Sequence, residues 1–307
     1  MVYIDKLKSG NKTFYYLGKT LRIGPNKWKK IRVNLGTEKP TDKIISKKLR
    51  ELKLEEYKIY NKDYIDCNKL EVIDDFREVY KKYVKSLPRT ILEKEETDFV
   101  IRFTYNSNAI EGNRLTLRET YLVIKEKQIP SGVPAKDYNE AINGKECLDF
   151  LKGYKEKLTI DFIEKINYIL TKNTGLVYPG RLRFFSVKIE GADFTPPDEK
   201  EVPKLLKNMI KFYYENKNKI HPFVMACLIH AQFVEIHPFE DGNGRTGRAL
   251  MNWILMKSNY PRIFIPFKNR QQYYEAIDIH NVKKYKEYCN KIFEIVLEQL
   301  GGKLSTK

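Results

Sequence analysis

Cysteine and histidine are both scarce, with only four of each in 307 residues. Cys67, Cys147, Cys227 and Cys289 lie far apart with no C-x-x-C pair, and no two histidines stand at H-x-x-x-H spacing. That excludes the usual signatures of structural zinc and of a small disulfide scaffold. Long apolar runs are missing too: the apolar stretches are short and broken by charge, so no membrane-spanning segment is expected. No internal repeat or low-complexity tract is present. Scattered cysteines without a secretion signal lead us to expect a reducing, cytoplasmic setting and a soluble protein. A chain of this length can bury an adequate core without staples, as one large domain or two ordinary ones.

Acidic residues are also in deficit. Forty Asp and Glu face 57 Lys and Arg, a net charge of +17. This points to a nucleic-acid or acidic partner, or to a Lys-rich surface of the kind common in thermophiles. The excess is uneven. Residues 1–38 hold nine Lys and Arg against Asp5 and Glu38, a net of +7. The same segment reads as strands at Met1–Leu7, Thr13–Ile23 and Trp28–Leu35, parted by the turn clusters Ser9-Gly10-Asn11 and Gly24-Pro25-Asn26. A basic three-stranded meander with Phe14, Tyr15, Tyr16 and Trp28 results. It is loosely similar to the small basic N-terminal arms of some integrases and transposases, which implies DNA as a partner. A docking sheet with solvated lysines is the other reading.

From Thr41 onward the pattern is helical. Thr41-Asp42 can cap a helix over Lys43–Tyr60, with Ile45, Leu49, Leu52 and Tyr57 on one face. Further helices are expected at Val72–Leu87, Thr90–Ile110, Leu117–Gln128, Lys136–Lys155, Thr159–Leu170 and Glu199–Asn216. Thr116 and Glu119 form a capping-box pattern before the third of these. Pro222–Ile236 is apolar enough to be a buried central helix. Arg245–Ser258 follows with Ala249, Leu250, Trp253 and Ile254 inward, then Asn269–Asp278 and Val282–Leu300. Only Arg181–Ile189 interrupts with a β-like interval.

The chemistry concentrates in His237-Pro238-Phe239-Glu240-Asp241-Gly242-Asn243-Gly244-Arg245-Thr246-Gly247-Arg248. Asp241 can hold a hard cation such as Mg²⁺ through one oxygen. Gly242 and Gly244 permit positive φ and close backbone approach. The loop opens into a helix whose first N–H groups and positive dipole end attract an anion. Arg245 and Arg248, three apart, project from one helix face towards the same anion. Together these groups make a di- or triphosphate cradle. His237, at the exit of the preceding helix, is placed to take a hydroxyl proton near neutral pH, and Phe239 would anchor the loop in the core.

This run resembles the Fic (filamentation induced by cAMP) family motif H-x-F-x-D/E-G-N-G-R-x-x-R, matching every specified position. The resemblance implies a protein adenylyltransferase that binds ATP and Mg²⁺ and transfers AMP to a Ser, Thr or Tyr hydroxyl of a protein target. It also implies His237 as the base, Asp241 as the Mg²⁺ ligand, and Gly242, Asn243, Gly244, Arg245 and Arg248 around the phosphates, Arg248 at the γ-phosphate. Gly244 stands where the kinase-like branch has Lys, which favours AMP transfer. The fold implied is mainly α: a Fic-type helical core with a short β-hairpin flap, preceded by the basic β segment.

Upstream, Ser107-Asn108-Ala109-Ile110-Glu111-Gly112-Asn113 is similar to the inhibitory motif S/T-x-x-x-E-G/N of the same family, in its N-terminal placement. Glu111 would pair with Arg248 and displace the γ-phosphate; it is also readable as an ordinary helix end before a glycine stop. Arg181–Glu190 falls where relatives place the flap that aligns a target by main-chain pairing. Tyr273 and Tyr274 lie near the aromatic residues that pack on adenine in relatives. The resemblance spans about residues 95–290. It suggests a division into 1–38 (basic sheet), 39–92 (helical linker), 93–290 (Fic domain, inhibitory helix about 95–112) and 291–307 (helix end and tail). Relatives often form homodimers. Three other activities stay open from sequence: removal of AMP from a modified target with Glu111 positioning water, transfer of another nucleotide or phosphate-bearing group, and a DNA-binding regulator with a nucleotide-sensing core.

Overall fold

The computed structural model describes residues 1–188, 194–281 and 283–302. Three antiparallel strands open the chain: β1 (Val2–Ser9), β2 (Lys12–Gly24) and β3 (Lys27–Gly36), in the order β1-β2-β3. The turns between them carry positive φ at Gly10 and Asn26, as their composition requires. One face of the sheet is covered by α1 (Asp42–Asn61), capped by Thr41, whose side chain accepts a bond from the Ile44 N–H. Ile45, Leu52 and Ile59, seven residues apart, meet Leu17, Leu21, Ile31, Val33 and Leu35. The single apolar face expected of this helix is therefore split. Leu49 is exposed, and Tyr57 turns away from the sheet into the core of the helical body.

That body consists of α2 (Asn68–Ser86), α3 (Arg89–Ile110), α4 (Leu117–Tyr121), α5 (Ala135–Gly153), α6 (Ile160–Thr171), α7 (Val202–Asn216), α8 (Pro222–Ile236), α9 (Asn243–Lys257), α10 (Arg270–Asn281) and α11 (Tyr285–Gly302). The Thr116–Glu119 capping box opens α4. Instead of one α-helix to Gln128, the chain widens into a π turn over Leu122–Glu126 and stops at left-handed Lys127. Helix α7 begins at Val202, because Glu199–Glu201 form a turn. Arg181–Lys188, expected as strand, is irregular, and the remainder of the expected flap, 189–190, lies outside the described residues. Residues 303–307 of the expected tail lie outside them too.

Helix α8 is the centre. Eleven of its fifteen residues are buried, so it must be surrounded, and α7, α9, α10 and α11 pack around it. Helix α9 folds back on it through the loop 237–242 and is walled on its other sides by α3, α5 and α6. Ala249, Leu250, Trp253 and Ile254 are all inside. No helix among the described residues is long and apolar enough to cross a membrane.

Candidate active site

The loop joining α8 to α9 is held from several directions. His237 caps α8 in the left-handed conformation, φ 49°. From the irregular segment before α7, Arg183 donates its backbone N–H to the Pro238 carbonyl (2.9 Å) and its Nε to the His237 carbonyl (2.8 Å). The same guanidinium reaches the Pro197 carbonyl through Nη2 (2.5 Å), so one buried cation joins three pieces of backbone. Phe239 is buried, and its N–H and carbonyl are both bonded to the side-chain amide of Asn243 (3.0 and 2.8 Å). Asn243, predicted among the phosphate contacts, thus spends its amide on the loop. Asn167 on α6 bonds the Asp241 carbonyl (2.9 Å) and the Thr246 hydroxyl (3.2 Å). Gly242 has φ 77°, and a Cβ there would lie 2.6 Å from the Thr171 methyl. Gly242 gives α9 no side-chain cap, so the first-turn N–H groups keep their capacity for an anion.

Both arginines of the motif are buried and engaged by carboxylates. Arg245 donates Nη1 to Glu140 on α5 (2.7 Å) and Nη2 to Asp241 (3.0 Å). Burial raises the Asp241 pKa, but the Arg245 charge and the Gly242 N–H more than offset it and leave the carboxyl below its ordinary value. Asp241 is thus ionised at neutral pH, with its side chain 43% exposed. Arg248 is more fully surrounded. Its Nε donates to the Ser107 hydroxyl (3.0 Å) and its Nη2 to the Ser107 carbonyl (2.8 Å) and to Glu111 Oε1 (2.8 Å). Its Nη1 donates to the Tyr273 hydroxyl (3.2 Å). The Glu111 contact runs through one oxygen and one guanidinium nitrogen, not as a two-pronged pair.

Helix α3 brings Ser107 and Glu111 here because of how it ends. The Gly112 N–H bonds the Ala109 carbonyl and the Asn113 N–H bonds the Asn108 carbonyl, both across left-handed Gly112 (φ 92°). This is the Schellman arrangement that stops a helix. The two sequence readings of Glu111 coincide, since the residue is the helix end and also points at Arg248. Gly244 makes room for it: a Cβ on residue 244 would lie 2.3 Å from Glu111 Oε1.

Burial, then the positive charge of Arg183, pulls the His237 pKa down to about 4, while the Val234 carbonyl, Glu111 and Asp241 work the other way. The ring is neutral at pH 7. Tyr273, predicted beside adenine, is instead 1% exposed beneath Arg248. Its hydroxyl accepts from Arg248 and lies 2.8 Å from His230 Nε2, and His230 Nδ1 lies 2.7 Å from the Tyr288 hydroxyl, so the three side chains form one hydrogen-bonded chain. Tyr274 is half-buried and bonds the Ile110 carbonyl (2.9 Å), at the end of the helix that carries Glu111. Sequence reasoning missed Glu140, Asn167, Arg183 and His230. Each sits on a different element from the motif, and none carries a local pattern that could have disclosed it.

Residues 157–255 match the Fic/DOC family model. A protein adenylyltransferase Fic of Nematostella vectensis is 33% identical over 71% of this chain and 51% of its own length. The protein adenylyltransferase fic-1 of Caenorhabditis elegans is 28% identical over 79% of this chain and 48% of its own. The chain spans about half the length of these curated relatives. Among solved structures, Fic-1 (residues 134–508) from C. elegans superposes with TM-score 0.67 at 26% identity, covering 86% of this chain and 77% of that one. A Fic-domain signalling protein from Bacteroides thetaiotaomicron gives 0.65 at 24% identity, over 74% and 94%, a likeness of fold. The chain carries a Fic domain of the Fic/DOC family.

Proposed function

We propose that this chain is a protein adenylyltransferase, moving AMP from ATP to a hydroxyl of a protein target, with Glu111 holding the site off at rest. The observation that carries this reading is a convergence at the start of α9: a neutral imidazole, an ionised carboxylate, and an arginine whose guanidinium is occupied by a carboxylate from another helix. The curated relatives' names support the transfer of an adenylyl group.

Neutral His237 takes the target's hydroxyl proton as the oxygen attacks the α-phosphorus. The bond from that phosphorus to the bridging oxygen breaks, and pyrophosphate leaves. The first-turn amides of α9 bind the phosphate chain, and Arg248 takes the terminal phosphate once Glu111 has moved. Arg245, held by Glu140, orients Asp241. A part-exposed ionised carboxylate suits Mg²⁺, which binds proteins through one or two carboxylates plus substrate phosphates. When bound, the ion neutralises charge on the phosphates. At rest, Glu111 occupies the Arg248 donor that the γ-phosphate needs, so ATP would sit with its α-phosphate out of line for attack.

The test uses Mg²⁺ and ATP labelled at the α-phosphate. Glu111→Gly should label itself or a lysate protein at least about tenfold more than the parent, the usual scale for one transition-state contact. Adding His237→Ala should abolish the signal. Equal labelling by the double variant removes His237 as the base, and transfer from γ-labelled ATP makes the enzyme a kinase instead.

A further inference from the structure

The β1-β2-β3 sheet buries one face and leaves the other in solvent. Alternation along the strands places Leu17, Leu21, Ile31, Val33 and Leu35 against α1. The register pairs Tyr3↔Gly18, Gly18↔Arg32, Thr20↔Lys30 and Arg22↔Trp28 put Tyr3, Arg22, Trp28, Lys30 and Arg32 together on the opposite side. Trp28 is 63% exposed, an unusual position for the largest apolar side chain. Cations and rings alternate there: Lys30 Nζ stands 5.0 Å from the Tyr3 ring centre and the Arg22 guanidinium 5.9 Å from that of Trp28. Asp5 on the same face bonds Lys30 (2.7 Å) and Arg32 (3.0 Å), which orients both cations and leaves the face net positive. Gly18 lets the Tyr3 ring lie flat across β2, since a Cβ there would come within 2.7 Å of it.

We propose that this open face binds double-stranded DNA, seated in the major groove. Charge complementarity is one reason, Arg22, Lys30 and Arg32 standing together on this face against Asp5. Shape is another. Three strands about 4.8 Å apart set the outer two about 10 Å apart, within a major groove about 12 Å wide. Cations at the sheet margins meet phosphates, while Arg22 and Trp28, at the β2–β3 end, reach base edges. Duplex RNA offers only a deep, narrow major groove that side chains cannot enter.

The experiment is fluorescence anisotropy of the full chain with a labelled duplex of about 20 base pairs, from roughly 50 to 200 mM salt. Binding should weaken steadily with salt. At about 100 mM, Arg22→Gln/Lys30→Gln should weaken it at least about tenfold, and Trp28→Ala, which leaves the charge unchanged, should weaken it as well. Lys6→Gln/Lys8→Gln makes the same charge change on the side facing α1, and should alter binding by less than about twofold. Thermal melts of all variants exclude a collapsed sheet, and Trp28→Ala keeps the proposal open to refutation if the double variant melts early. Equal losses in both double variants, binding to duplex RNA or anionic vesicles as tight as to DNA, or no binding at the lowest salt would each overturn it.

Discussion

Glu111 Oε1 lies 2.8 Å from Arg248 Nη2, above a Gly244 that has no side chain to keep it out. The contact joins the end of α3 to the first turns of α9, residues 137 apart in sequence. It depends on an absence as much as on charge. Gly247 faces the ring of His230 in the same way, at 3.1 Å from the Cβ it would have, so α9 lies close to its neighbours at both glycines.

Gly244→Ala should therefore uncouple the pair. A double-mutant cycle between Glu111→Ala and Arg248→Ala, read by urea denaturation, is expected to give a coupling of about 1 to 2 kcal/mol in the parent. In the Gly244→Ala background it should fall towards zero. An unchanged coupling would mean that the carboxylate reaches Arg248 by a route that does not cross residue 244.

Arg183 touches the His237 and Pro238 carbonyls but lies on a separate segment. Arg183→Ala, made in the Glu111→Gly background, should lower kcat for labelling by about 10- to 100-fold, since misplacing a reacting group costs on that scale. The KM for ATP should stay within about threefold, because Arg183 bonds the loop backbone on the His237 side. A rise in KM with kcat unchanged would place Arg183 in nucleotide binding.

Three of the four histidines, His221, His230 and His280, are buried and His237 is partly buried; all are shifted below their ordinary value, with desolvation the largest cause in each. His230 falls to about 3, and His237 and His280 to about 4. The unfolded chain therefore binds more protons than the folded one below about pH 6.5. Stability is complete above that pH and is lost as the pH falls towards the folded values. His230 alone accounts for on the order of 4 kcal/mol by pH 3. The urea midpoint should drop between pH 7 and 4.5, and His230→Gln should flatten the slope even though it lowers the midpoint at pH 7. A midpoint constant over that range would contradict burial of the neutral rings.

The motif run was legible from sequence because its chemistry is local. A helix exit, a glycine turn and a helix start within twelve residues build one loop, whatever surrounds them. The helices at Pro222–Ile236 and after Asn243, the capping box at Thr116, the three strands and the stop at Gly112 were legible for the same reason. Less legible was what each side chain of the motif would touch. Asn243 bonds its own loop, Tyr273 lies under Arg248 rather than beside a base, and Arg245 answers to Glu140 from α5. A residue's spacing gives its direction on a helix, and its partner depends on which other helix packs there.

The sequence by itself determined the elements, their caps and turns, the basic character of the first strands, and a glycine loop that opens a helix beside a histidine. Those follow from backbone preferences and short-range hydrogen bonds. Tertiary structure alone decided that Glu111 meets Arg248 through a single oxygen, that Arg183 fixes the His237 backbone, and that the open face of the sheet gathers Arg22, Trp28 and Lys30. Contacts between distant segments are settled when apolar faces pack, and a polar side chain then bonds whatever the packing brings within reach.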